Sequence, residues 1–202
     1  MFREAKMADR YDYSNAARRE KMFSIIRSAV LWIAAVGGAI LLAFLLVHFG
    51  LAKTTADASM TPTLEEGDRI LVDRFRYKLF KPSRNDVIVY CQDSDKDRKD
   101  AFYSVKRVIG LPGETVQIKN GSVYINGEEM TEIVNVDRMM ISGLATYEVK
   151  LGDDEYFVLG DARNSSEDSR YATIGNVKKS DIIGYAWIRL NKLSFVNNLN
   201  RK

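Results

Sequence analysis

A mainly β domain standing behind one N-terminal membrane-length helix is the fold class this sequence predicts, and three observations predict it. Between Arg27 and His48 runs a single stretch of about 20 uncharged residues, which at 1.5 Å rise spans roughly 30 Å of hydrocarbon. After Gly67 the chain breaks into short runs rich in Val, Ile, Phe and Tyr, bounded by Pro82, Asn85, Gly110 and Gly113, the signature of strands. An Asn120-Gly121 pair flanked by alternating residues marks a two-residue hairpin, because both turn positions then tolerate φ > 0.

In chain order, residues 1–27 read as a basic cytoplasmic segment. Arg18, Arg19, Lys21 and Arg27 crowd this side of the apolar stretch, whereas Lys53 on the other side is soon followed by Asp57, Glu65 and Glu66. The positive-inside rule then keeps the N-terminus in the cytoplasm and sends everything after Val47 outside. Residues 28–47 are the transmembrane signal anchor; a cleavable signal peptide would have a shorter apolar region, about 7–15 residues. Residues 48–58 read as a linker, although Ala56-Asp57-Ala58 has the small-x-small form of a processing site. Residues 59–202 form the extracytoplasmic domain.

Within it the expected strands are 68–75, 86–90 and 103–109, then the hairpin 114–119 with 122–125, with Asn126-Gly127 turning the chain again. Segments 155–160 and 182–190 read as closing strands. Gln92 to Asp100 is a charged loop, and the tail from Asn191 is too short and polar to cross a membrane.

Composition narrows the function. At 202 residues, 46% hydrophobic and 28% charged, the chain has the make-up of a globular protein with one domain and an appendage. Cys91 is the only cysteine, which excludes an intramolecular disulfide. The formal charge of +3 is partly supplied by the N-terminal segment, so nothing points to nucleic acid as a partner.

The only histidine is His48, at the end of the apolar stretch, so the folded domain lacks the base of a Ser-His-Asp triad or a Cys-His pair and the usual ligands of a zinc hydrolase. Ser-Lys chemistry, paired carboxylates, or no catalysis remain. A lysine base must be neutral, and from a reference pKa of about 10.4 this requires lowering by about three units, roughly 4 kcal/mol of burial without a carboxylate partner. On a strand of period two, Ser104, Lys106 and Val108 share one face and Val105, Arg107 and Ile109 the other, which sets Lys106 among small and apolar neighbours. Taken alone, Lys106 is more ordinarily an exposed strand lysine. Ser59, likewise, can simply precede a short helical turn capped by Thr61 with Pro62 at its first position. In Gly160 to Arg170, two acids and two arginines, Asp161, Arg163, Asp168 and Arg170, can pair to stiffen a polar loop and aim a hydroxyl inward.

Together these segments resemble the type I signal peptidases, membrane-anchored serine proteases with a Ser-Lys dyad. The family's Ser-Met-x-Pro-Thr-Leu matches Ser59 to Leu64, its Lys-Arg-x-x-Gly-x-Pro-Gly matches Lys106 to Gly113, and its Gly-Asp-Asn-Arg-x-x-Ser-x-Asp-Ser-Arg matches Gly160 to Arg170 except at Ala162. The resemblance implies an antiparallel β-sheet or partial-barrel domain that removes signal peptides after small-x-small motifs. It implies Ser59 as nucleophile, Lys106 as general base and Ser166 as the hydroxyl that positions the lysine amine. Met60, Leu64, Ser104 and Val105 would bind substrate, and Asp161, Arg163, Asp168 and Arg170 would shape the loop. It calls for no cofactor and no metal, and for preproteins and the lipid bilayer as partners, with the secretion translocon as a further candidate.

Two departures stand out. Some family members carry a hydroxyl two residues before the nucleophile as a second oxyanion donor; Asp57 stands there, and an ionised carboxylate only accepts. Ala162 removes a hydrogen-bonding side chain from the third motif. A self-cleaving repressor-type Ser-Lys protease and a catalytically silent binding module are the competing readings; the anchor speaks against the first, and the presence of both Ser59 and Lys106 against the second.

Overall fold

The computed structural model describes residues 21–44, 51–92 and 102–196. The chain divides into two units, residues 1–49 and 50–202. In the first, helix α1 runs from Lys21 to Phe44, 24 residues and about 36 Å at 1.5 Å per residue, with its apolar side chains outward. The chain is already helical at Lys21, the first residue described there, ahead of the expected Ser28. The end of the expected span, and His48, lie outside the described residues.

In the second unit, every strand pairing among the described residues is antiparallel. Its strands are β1 (Leu51–Thr55), β2 (Arg69–Asp73), β3 (Val87–Cys91), β4 (Tyr103–Gly110), β5 (Thr115–Lys119), β6 (Ser122–Ile125), β7 (Glu128–Glu129), β8 (Val149–Lys150), β9 (Glu155–Leu159), β10 (Val177–Lys178), β11 (Ile182–Arg189) and β12 (Ser194–Phe195). The larger sheet has the order β1-β2-β11-β3-β4-β9-β10 with β12 on β11; the smaller has the order β7-β6-β5-β8. The two turns that glycine and asparagine predicted have the required backbone: Asn120 and Gly121 at φ 51 and 79, Asn126 and Gly127 at φ 52 and 87.

The linker residues 51–55 are in fact strand β1, paired with β2 from Leu51 opposite Asp73 to Thr55 opposite Arg69. The signal is faint because the inward side chains, Ala52 and Thr54, are small; Ala56 then enters the core. The strand expected to reach Phe75 stops at Asp73, whose Oδ1 accepts the N–H groups of Phe75 at 2.9 Å and Arg76 at 3.2 Å and so starts the single helical turn α2 (Arg76–Leu79). The tail beyond Asn191 adds strand β12 and buries Val196.

Strands β3 and β4 are central and covered on both faces, so they read as continuous buried runs. Val87, Val89 and Val105 pack into one core cluster with Met60, Leu64, Ile70 and Val72; Ile88, Tyr90 and Val108 pack into another with Tyr77, Tyr156 and Val158. A third cluster, around Ile109, Val116 and Phe157, joins the two sheets. At Gly110 the contact is so close that an added Cβ would lie 2.7 Å from Leu151 Cδ1 and 2.9 Å from Phe157 Cβ. The bulge at Val108–Gly110 bends β4 there.

Candidate active site

Ser59 sits in a short 3-10 helix, Ala58–Met60, that leads from β1 toward β2. The helix is capped by Asp57, one turn earlier than expected: Thr61 is its C-terminal cap, donating its N–H to the Ala58 carbonyl at 3.2 Å, and the Thr61-Pro62 bond is cis. Met60 and Leu64 are wholly buried in the core cluster and anchor the segment. Ser59 is 7% exposed.

From the middle of β4, opposite Ile88 of β3, Lys106 reaches the same point. It is 2% exposed, and its Nζ lies 2.6 Å from Ser59 Oγ. Burial pushes its pKa down; the nearby carboxylates of Asp57, Asp168 and Glu167 oppose the fall without reversing it. Asp57 is the nearest acid, with Oδ2 3.7 Å from the lysine amine. Its Oδ1 accepts the Ser59 backbone N–H at 3.0 Å and also the Ser59 hydroxyl.

The loop after β9 closes the third side. The Ala162 N–H donates to the Ser59 carbonyl at 2.9 Å, and Gly160 is pressed so tightly that an added Cβ would lie 2.5 Å from Ser166 Cβ and 2.6 Å from the Ser59 carbonyl oxygen. Four charged residues of this loop were expected to pair with one another, and only half do. Arg170 binds Asp168 through Nε at 2.8 Å and Nη2 at 2.9 Å, and also holds the carbonyls of Ile141 and Arg163. Asp161 instead receives Arg107 of β4, at 2.7 Å from Nε and 2.6 Å from Nη2, together with the Thr63 hydroxyl. Arg163 binds Glu132, at 2.5 and 2.9 Å. Each buried charge thus has a partner, and the Arg107–Asp161 pair ties the loop to the strand that carries Lys106. Ser166 is 6% exposed, and its hydroxyl faces the Glu167 carbonyl at 3.4 Å rather than the lysine amine.

A cleft of about 380 Å³ opens over Ser59 and Lys106, lined also by Asp57, Glu66, Ser104 and Glu167. A second of about 360 Å³ adjoins it, sharing Asp57, Glu66 and Phe102 and adding Val105. Of the four residues expected to bind substrate, Ser104 and Val105 line these clefts, while Met60 and Leu64 lie beneath in the core. Sequence reasoning missed Arg107 and Thr63 as partners of Asp161, although all three stand inside the quoted motifs; it missed Glu132, which no local pattern marks. Chemically, the arrangement presents a buried serine hydroxyl to an amine of lowered basicity at the edge of an open cleft. This suits nucleophilic acyl transfer.

Residues 29–191 match the family described as signal peptidase, peptidase S26. The chain is 36% identical over 176 residues to a signal peptidase I of Bacillus amyloliquefaciens, covering 83% of this chain and 91% of that one. It is 38% identical over 144 residues to a probable signal peptidase I of Synechocystis, covering 68% of this chain and 62% of that relative's length. A crystal structure of a signal peptidase I from Enterococcus faecalis aligns with a TM-score of 0.42 at 32% identity, covering 52% of this chain and 97% of that one.

Proposed function

The chain belongs to the signal peptidase family S26, and from that premise we propose that it is a type I signal peptidase, cutting signal peptides from exported preproteins with Ser59 as nucleophile and Lys106 as general base. The observation that carries the assignment is the 2.6 Å approach of Lys106 Nζ to Ser59 Oγ by a lysine that is 2% exposed. The neutral amine takes the Ser59 proton as Oγ attacks the scissile carbonyl, then delivers it to the leaving amine. Water, activated by the same amine, hydrolyses the acyl-enzyme. The Ser59 backbone N–H is the first candidate for the oxyanion donor, a contact worth about 3 kcal/mol in the transition state.

Substrate binds extended along the two adjoining clefts, its main chain paired at an edge and alternate side chains entering shallow pockets. Ser104 and Val105 contribute directly; Met60 and Leu64 fix the floor. Small residues at the first and third positions before the cut fit such pockets. Ser166, packed against Gly160, acts on the amine through the shape of the wall, and Asp161, Arg163, Asp168 and Arg170 hold that wall. Helix α1 anchors the enzyme in the cell membrane with residues 1–27 in the cytoplasm and the β domain outside. A preprotein whose apolar segment lies in the same bilayer then meets the site at raised local concentration. The secretion translocon is the machinery that would deliver it.

A serine-directed acylating probe tests the assignment. It should label Ser59 stoichiometrically in the folded chain and fail to label Lys106→Met. Absence of labelling in a folded, detergent-solubilised wild type would favour a silent binding module instead.

A further inference from the structure

Asp57 stands two residues ahead of Ser59 and makes three contacts that all oppose catalysis. Its Oδ1 accepts the Ser59 hydroxyl, which turns the serine proton away from the lysine that must receive it; Lys106 in turn donates to Ser59 Oγ. The same oxygen accepts the Ser59 backbone N–H at 3.0 Å, so an anionic oxygen already fills the place where that N–H would meet the oxyanion of a tetrahedral intermediate. Its Oδ2, 3.7 Å from the amine, favours the ammonium over the neutral base.

We propose that Asp57 is a self-inhibiting latch on the nucleophile: its carboxylate occupies the oxyanion position of the free enzyme and must be displaced by substrate at every turnover. This rests on the Ser59–Lys106 reading above. One side-chain movement releases all three contacts, and the residue is placed to make it, because the Asp57 side chain is 53% exposed. It lines both adjoining clefts, so a substrate strand lying along them passes over it. The carbonyl oxygen of the scissile bond replaces one acceptor of the Ser59 N–H with another, and the departing carboxylate regains full hydration, which keeps the exchange from costing much. Other titratable groups surround the dyad and Asp57. Glu167 and Asp168 come from the loop after β9, the latter bound to Arg170; Glu66 lines the same cleft, and the Tyr90 phenol of β3, its pKa raised by burial, stands near Asp57 and Asp168. Among the described residues, Asp57 is the acid bonded to Ser59 itself.

The test is the pH dependence of kcat/KM for preprotein cleavage, with the rate of Ser59 labelling by an acylating probe, in the detergent-solubilised full chain. Wild type is compared with Asp57→Asn, which keeps an acceptor and removes the charge, and with Asp57→Gly, which removes both and is tolerated at a helix N-cap. Losing the charge should move the acid limb down by about one pH unit and raise kcat/KM about tenfold on that limb. Asp57→Gly, with the Ser59 N–H freed, should label faster than Asp57→Asn. An unmoved acid limb with lower kcat/KM in both variants would overturn the latch and leave Asp57 a helix cap; should the glycine variant not fold, the limb of the asparagine variant decides. Ser59→Ala and Lys106→Met serve as controls. If they still cleave, the dyad reading fails and takes the latch with it; if they are inactive and the limb is unmoved, the latch alone fails.

Discussion

Replacing Lys106 with methionine should stabilise the protein while abolishing turnover, because the lysine is buried for chemistry rather than for folding. It is 2% exposed, lies opposite Ile88, and has its pKa lowered by burial. The buried ammonium is the disfavoured form, and exchanging a buried charge for a well-packed apolar side chain of similar volume typically stabilises by about 1–4 kcal/mol. Methionine, with a similar stem, escapes that cost and forfeits the hydrogen bond to Ser59 Oγ, worth about 1 kcal/mol; Ser59 keeps Asp57 as acceptor. The net gain is about 2 kcal/mol, or roughly 4–8 °C in melting temperature for a domain of this size. The pH dependence has a definite sign. A cationic group whose folded pKa lies below its unfolded value costs stability in full below the folded pKa, and the cost fades as pH rises toward the unfolded pKa of about 10.4. Thermal unfolding of the solubilised wild type and variant at pH 7 and pH 10 measures this, with the difference smaller at pH 10. A variant that melts below wild type at pH 7 would refute the reasoning and make Lys106 a stabilising partner of Asp57.

Asp161→Ala leaves Arg107, 1% exposed, without its carboxylate and should cost about 3–5 kcal/mol in denaturant unfolding; a loss under about 1 kcal/mol would mean that the Asn85 and Thr63 contacts suffice for the guanidinium. Gly160→Ala drives a methyl to 2.6 Å from the Ser59 carbonyl oxygen, so turnover should fall tenfold or more with stability down by about 1–3 kcal/mol. Wild-type activity there would show that the loop yields freely. Ser166→Ala should lower kcat by about tenfold or less, since its hydroxyl faces the Glu167 carbonyl and not the amine; a loss as complete as that of Lys106→Met would require a direct bond to the amine during turnover.

Much of the architecture is legible because it is written in local chemistry. The Asn-Gly pairs fix two turns through positive φ, and the runs at 87–91 and 103–110 read as strands because their Val, Ile and Tyr side chains suit the pleated backbone, with nearly every position buried. Strand β1 escapes notice because Ala52 and Thr54 bury little apolar surface, and the early end of β2 is set by the Asp73 side chain binding the following N–H groups, a tertiary choice that strand propensity does not register. At the site, three distant segments converge on Ser59, yet the pairing of their charges is not readable from spacing. Asp161 could satisfy a neighbour in its own loop or an arginine on β4, and only the fold decides for Arg107. Asp57 is recognisable in the sequence as a residue that lacks a donor; that it accepts the Ser59 hydroxyl and N–H together emerges only from the helical turn it caps.

Cleavage of a preprotein with alanine at the first and third positions before the cut, by the detergent-solubilised chain and by its Ser59→Ala variant, tests the central claim most directly. Wild type should make a single cut after the second alanine and the variant none. Equal cleavage by both, or no cleavage by a folded wild type across several lipids and detergents, would contradict it.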